Sequence, residues 1–96
     1  MKRVAFHEEA SCEMNEAAQY YEERAVGLGL TFLAEVEDSV AQILSNPEAC
    51  QRERGEIRRK PIRHFPYSLL YAIEADYIRV IAVAHQKRRP GHWRNR

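Results

Sequence analysis

Ninety-six residues, 45% of them hydrophobic and 30% charged, suffice for one globular domain with a modest core and are too few for two. No apolar run approaches the roughly 20 residues that span a bilayer, and the opening MKRVAFHEE has no signal-peptide core, so a cytoplasmic protein without a membrane partner is expected. The formal charge of +1 conceals opposed halves: residues 1–50 hold three basic and ten acidic side chains, a balance of −7, and residues 51–96 hold twelve basic and four acidic, a balance of +8.

Residues 2–6 alternate enough for a short strand. From residue 8 to about 25, Ala10, Met14, Ala17, Tyr21 and Ala25, with Ala18 beside them, form the apolar stripe of an amphipathic helix whose opposite face is nearly all glutamate. Gly27 and Gly29 should interrupt it, since each costs about 1 kcal/mol against Ala inside a helix. A second helix is expected from about Leu30, with Phe32, Leu33, Val36, Val40, Ile43 and Leu44 inward, and Asn46 and Pro47 stop it. The short glycine link predicts an antiparallel helical hairpin.

After residue 50 the period changes. Residues 55–62 read as a strongly basic strand that Pro61 makes an edge strand or ends. Residues 66–75 and 77–85 are apolar at successive positions, as in strands covered on both faces, and a tight turn at Ala75 and Asp76 joins them. The expected fold is α+β in the order β-α-α-β-β-β over a single domain, 1–96. An N-terminal strand precedes the helical hairpin, which packs on one face of a twisted sheet whose last three strands form an antiparallel meander.

Strict alternation along 77–85 sends Ile78, Val80, Ala82 and Ala84 beneath the helices. It sends Arg79, Ile81, Val83 and His85 to an open face, where Arg58 and Lys60 of the basic strand could join them if the register allowed. Beyond the last strand, AHQKRRPGHWRNR carries Lys87, Arg88, Arg89 and the single tryptophan, Trp93. Pro90 and Gly91 permit a bend back over the sheet. Cations beside an aromatic suit nucleic acid or an acidic protein segment. Trp93 has two readings of similar weight, a platform for base stacking or a plug docking the C-terminus. Cys12 and Cys50 lack metal-ligand spacing and are expected to be buried, inert thiols, so no metal and no cofactor is expected.

Several of these runs together carry a family resemblance: EAAQYYEERAVGLGLTFLAEVE (16–37), FPY (65–67), the VAH that ends the last strand, and RRPGHW (88–93). In order and spacing they resemble the RelE/ParE superfamily of toxins from type II toxin–antitoxin modules. The tail is more similar to the ParE-like, plasmid-stabilisation branch than to the RelE branch. The resemblance implies a growth-arresting toxin that binds DNA gyrase and is neutralised by a cognate antitoxin. The alternative it implies is a metal-independent, ribosome-dependent endoribonuclease acting on mRNA, and a further one is a non-catalytic binding relative.

RNA cleavage without metal needs a base for the 2′-hydroxyl, cations for the phosphorane and an acid for the leaving oxygen. His64 and His85 are the candidate bases and Arg63 and Arg79 the phosphate-binding cations; Tyr67 or His92 could serve as the acid. Against this, nucleases of the RelE branch typically place an arginine before the leucine-hydrophobic-tyrosine triplet of the central strand. Here that triplet is Leu69, Leu70 and Tyr71, and the preceding residue is the uncharged Ser68. For a binding function the candidates are Arg58, Lys60, Lys87, Arg88, Arg89 and Trp93 toward the target, and Met14, Tyr21, Phe32 and Val36 toward an antitoxin helix.

Overall fold

The computed structural model describes residues 3–87, 91–94 and 96. Its elements are β1 (Arg3–Phe6), α1 (Glu8–Arg24), α2 (Leu28–Ser45), β2 (Arg52–Arg54), β3 (Ile57–Pro61), β4 (Tyr67–Ile73) and β5 (Tyr77–His85). Among the described residues five strands form one sheet in the order β1-β5-β4-β3-β2, with β1 parallel to β5 and the other neighbours antiparallel. This is the expected α+β order with one addition. The three-residue β2, whose Arg-Glu-Arg side chains are all exposed, pairs with β3 and turns the meander of three strands into four. Such a run is too short for periodicity to reveal, and its charges blunt an edge that would otherwise invite pairing. Because β2 lies outside it, β3 is not the edge strand, and Pro61 closes it instead.

Both helices lie on one face. Ala10 and Ala17 of α1 and Phe32, Val36 and Ile43 of α2 are buried against Leu69, Tyr71, Ile78, Val80 and Val83 of the sheet. At one end of this core, Tyr21, Phe32, Phe65 and Tyr67 pack ring on ring, with centroids 4.8 to 6.2 Å apart, in the edge-on and tilted arrangements aromatic quadrupoles favour. At the other end, Tyr71 donates its hydroxyl to the Pro47 carbonyl at 2.7 Å, pinning the exit from α2. Burial pushes that hydroxyl well above the usual tyrosine range. Ala25, expected in the inner stripe, is extended and exposed because α1 has already ended. Cys12 is exposed on the outer side of α1 rather than buried, and Cys50 is half-buried. No described helix is long and apolar enough to cross a membrane.

The hairpin between the helices is tighter than two helix-breaking glycines suggest. Gly27 takes the left-handed conformation (φ 87°), but Gly29 lies inside α2, where a Cβ would stand 2.6 Å from the Ala18 carbonyl oxygen. Gly29 is therefore a close-approach residue rather than a breaker. Glu22 of α1 accepts from the Gly27 and Gly29 backbone N–H groups at 3.0 to 3.1 Å, capping α2 in place of a side chain of its own.

Along β5 strict alternation fails at one residue. Leu70 pairs with Ala82 but Tyr71 pairs with Val80, which leaves Ile81 as the extra residue of a β-bulge. Ile78 and Val80 face the helices as expected, but beyond the bulge the parity reverses. Val83 joins the helix-side core, while Ile81, Ala82 and Ala84 belong to a second cluster on the other face. The expectation that Ile81, Val83 and His85 share one open face is thus corrected for Val83 and His85. Replacing Gly29 by Ala is expected to lower stability by roughly 1–3 kcal/mol through overpacking at the Ala18 carbonyl, read as a reduced urea midpoint with unchanged slope.

Candidate functional site

The opposed charges of the two halves fall on different elements, the acidic residues being concentrated on α1 and α2 and the basic ones on β2, β3 and the C-terminal segment. The basic strand does not present them on one side. Arg58 stands opposite Tyr71 and Lys60 opposite Leu69, both on the helix-covered face, whereas Arg59 stands opposite Leu70 on the other. The expected cationic face uniting Arg58 and Lys60 with Arg79 is therefore not formed. Arg58 turns inward, and its Nη1 donates to the Glu48 and Cys50 carbonyls at 3.1 and 2.8 Å, closing the connection between α2 and β2. Arg59 pairs with Glu53 at 3.4 Å and Arg52 with Glu56 at 3.8 Å, exposed contacts of small worth.

Three of the four candidate catalytic residues gather at one end of the sheet, where β3 finishes, β4 begins and β5 finishes. Arg63 is exposed and has no hydrogen-bonding or ionic partner among the described residues. His64 adopts a left-handed backbone (φ 69°) and places Nδ1 2.6 Å from Glu35 Oε2, tying its turn to α2. His85 Nδ1 accepts from the Lys87 N–H at 3.1 Å, and its ring meets Tyr67 edge-on at 5.1 Å. His85 lines a small hollow of about 160 Å³ with Glu13, Glu16, Ala17, Tyr20 and Tyr67. The fourth, Arg79, lies six residues away along β5, about 20 Å at ~3.3 Å per residue. It pairs there with Glu74 at 3.0 Å. Ser68 is buried between Pro61 and Ala84, and its hydroxyl finds no partner among the described residues.

The face away from the helices is not bare. Trp93, 8% exposed, packs with Leu70, Ala72, Ile81 and Ala82, so it is a plug on the sheet and not a free stacking platform. Arg88 and Arg89 lie outside the described residues; Lys87 and Arg94, on either side of them, are exposed. The anchor of this segment is Glu13, which sequence reading passed over. Its Oε1 accepts from the Val83 N–H at 3.0 Å and from Arg96 Nη1 at 2.8 Å, and its Oε2 meets Arg96 Nη2 at 3.0 Å and His92 Nε2 at 3.1 Å. Burial pushes the Glu13 carboxyl up, but Arg96, the Val83 N–H and His92 outweigh it and hold the carboxyl below its usual 4.5. Glu13 falls three residues after Ala10 and four before Ala17, inside the apolar stripe. A carboxylate there is the signal that was available.

A separate apolar groove of about 420 Å³ runs between α1, α2 and β1, lined by Val4, Phe6, Met14, Leu33, Val36 and Val40, with Asn15 and Glu37 at its margin. Of the residues expected to meet an antitoxin, Met14 and Val36 line it. Tyr21 and Phe32 instead belong to the aromatic cluster, and Phe32 is fully buried.

Residues 4–90 match the model of the family described as the ParE toxin of type II toxin–antitoxin systems, parDE. Among solved structures, the fold is similar to that of a chain from the chromosomal ParDE toxin–antitoxin system of P. aeruginosa, with a TM-score of 0.64 at 15% identity. That likeness covers 88% of this chain and 96% of the other. No curated protein gives a significant sequence match.

The inward turn of Arg58 separates it from the other cations in a measurable way. Arg58→Ala leaves two carbonyls without their donor and should cost about 1–3 kcal/mol. Arg59→Ala should change stability by less than about 0.5 kcal/mol, both measured by denaturant unfolding.

Proposed function

Because this chain belongs to the ParE toxin family of type II toxin–antitoxin systems, we propose that it arrests growth by binding DNA gyrase, without cutting RNA, and that a cognate antitoxin neutralises it. The observation that carries the choice is the loss of two phosphate-binding arginines from the place where a nuclease would need them. Arg79 is about 20 Å from His85 at ~3.3 Å per residue. His64 is engaged by Glu35, and the strand position of the phosphate-binding arginine holds the buried, neutral Ser68. Proton transfer and charge stabilisation both require groups converging on one phosphate, and with Arg79 apart and no arginine at position 68 the cluster of Arg63, His64 and His85 offers Arg63 as its single cation. The exposed cations Arg63, Lys87 and Arg94, with Arg88 and Arg89 between the last two in sequence, fit a binding surface for an acidic or DNA-associated target.

The antitoxin's place is the apolar groove. An amphipathic helix laid between α1 and α2 would set side chains at helical spacing against Met14, Leu33, Val36 and Val40. Beside it, β1 pairs with β5 alone among the described residues, so its outer edge is available for an added strand. The glutamates of the helical layer favour basic residues on the partner's flanks.

The deciding experiment induces the protein without an antitoxin and follows transcript integrity and plasmid supercoiling in one culture, alongside purified gyrase. Intact mRNA with lost supercoiling or broken DNA is the expected result. Rapid transcript cleavage with normal supercoiling would overturn it. For the groove, Met14→Lys and Leu33→Lys are each expected to weaken antitoxin binding by at least roughly 30-fold, the factor for a hot-spot contact of ~2 kcal/mol. Growth arrest should remain, and titration calorimetry against the co-encoded antitoxin reads the loss.

A further inference from the structure

β1 stops pairing with β5 at Val80, where the His7 N–H closes the ladder to the Val80 carbonyl at 2.8 Å. Beyond that point the Ile81 carbonyl and the Val83 N–H are met by side chains. Arg96 Nη1 donates to Ile81 O at 3.2 Å, and Glu13 takes the Val83 N–H. A helix carboxylate and a tail guanidinium, joined through two donor–acceptor pairs, thus do the work of a missing strand. Arg96 reaches further to Glu9 at 3.3 Å. The side chains concerned are close to fully buried, at 10% exposure for Glu13, 9% for Arg96 and 11% for His92. At such sites, losing one partner leaves the other charge uncompensated.

The same short segment holds both the edge and the face of the sheet, since Arg96 reaches the β5 edge, His92 binds the Glu13 carboxylate beside it, and Trp93 covers the hydrophobic face. The residues that end β5 are held as well. The Gln86 N–H donates to the Pro66 carbonyl at 2.8 Å and the Lys87 N–H to His85.

We propose that Glu13 is a positioning residue that docks the C-terminal segment onto β5, so that the cations it carries, Lys87 and Arg94, meet the target in a fixed arrangement. The proposal rests on the reading that this basic segment faces the toxin's target. It assigns a role in toxicity to a helix carboxylate that need not touch that target. Docking in advance removes the ordering cost that a free cationic tail would meet on binding.

The charge on Glu13 makes the docking pH-dependent with a definite sign. The groups facing it are Glu9 and Glu16 from α1, Tyr20 from α1 and Tyr67 from β4, His85 from β5, and His92 and Arg96 from the tail. A carboxyl held below 4.5 contributes stability that is present above 4.5 and lost as pH falls through its lowered value. Docking therefore persists until Glu13 itself is neutralised.

Trp93 is the only tryptophan, so its emission reports docking directly. In the full chain, Glu13→Gln should shift that emission to longer wavelength at pH 7, quicken tryptic cleavage after Lys87, and leave the far-ultraviolet circular dichroism unchanged. Wild-type emission should shift only as pH falls below 4.5, whereas Glu13→Gln emission should be flat through that range. Arg96→Gln, which leaves α1 intact, should behave alike and guards against a folding failure of the first variant. Both variants should need roughly tenfold more toxin for the same growth arrest, as expected when pre-organisation is lost. Wild-type emission in both variants would overturn the docking role, and full arrest despite shifted emission would overturn the positioning role. Arrest by wild type without any effect on gyrase would refute the target assignment alone, because emission and growth arrest are read independently of the target.

Discussion

The extra residue Ile81 in β5 governs the rest of the molecule. β5 pairs with β1 on one side and β4 on the other, packs against α1, and receives the C-terminal segment. Without the bulge, Val83 would face away from the helices with Arg79, and the helix-side core would lose a fully buried branched side chain. With it, Val83 fills the space under α1 and His85 turns toward Tyr67 and Tyr20, while Ile81 and Ala82 together make an apolar floor for Trp93. A bulge costs ladder hydrogen bonds. Beside it, beyond the end of β1, the Ile81 carbonyl and the Val83 N–H are met by Arg96 and Glu13, so the bulge and the tail contact fall on the same short stretch of β5.

α1 consequently has two distinct duties within one helical turn. Met14 faces the groove shared with α2 and β1, and its neighbour Glu13 faces the β5 edge and the tail. The acidic residues lie mainly on the two helices and the basic ones on β2, β3 and the C-terminal segment, which is how a net charge of +1 conceals an uneven distribution of sign.

Element order and the inward faces of the helices were readable because burial repeats with the helical period. Phe32, Val36 and Ile43 follow it, and so do Ala10 and Ala17. What escaped reading depends on contacts between residues far apart in the chain. The bulge at Ile81 shifts every later side chain by one face, and nothing in YIRVIAVAH marks it, since apolar residues occupy both parities. Arg58 looks like its neighbours in GEIRRKPI, and only its register against Tyr71 turns it toward the Glu48 and Cys50 carbonyls. Likewise Gly29 resembles a helix breaker until the Ala18 carbonyl is seen against it. The candidate site was legible as residue types, and that Arg79 stands apart from Arg63, His64 and His85 became visible only once Arg79 and His85 had been set toward opposite ends of one strand.

A buried carboxylate–guanidinium pair is poor evidence of stability, since well-packed apolar residues of similar volume often do as well or better. Glu13 is different in kind because it answers a backbone donor as well as a charge. A leucine at position 13 would suit the stripe of Ala10 and Ala17 yet leave the Val83 N–H without its acceptor and Arg96 without its counter-charge, both in a nearly dry setting. The cluster therefore trades generic packing for location: hydrophobic contact alone would let Trp93 slide over an apolar floor of Leu70, Ala72, Ile81 and Ala82, whereas hydrogen bonds with defined directions to the β5 edge permit one seat.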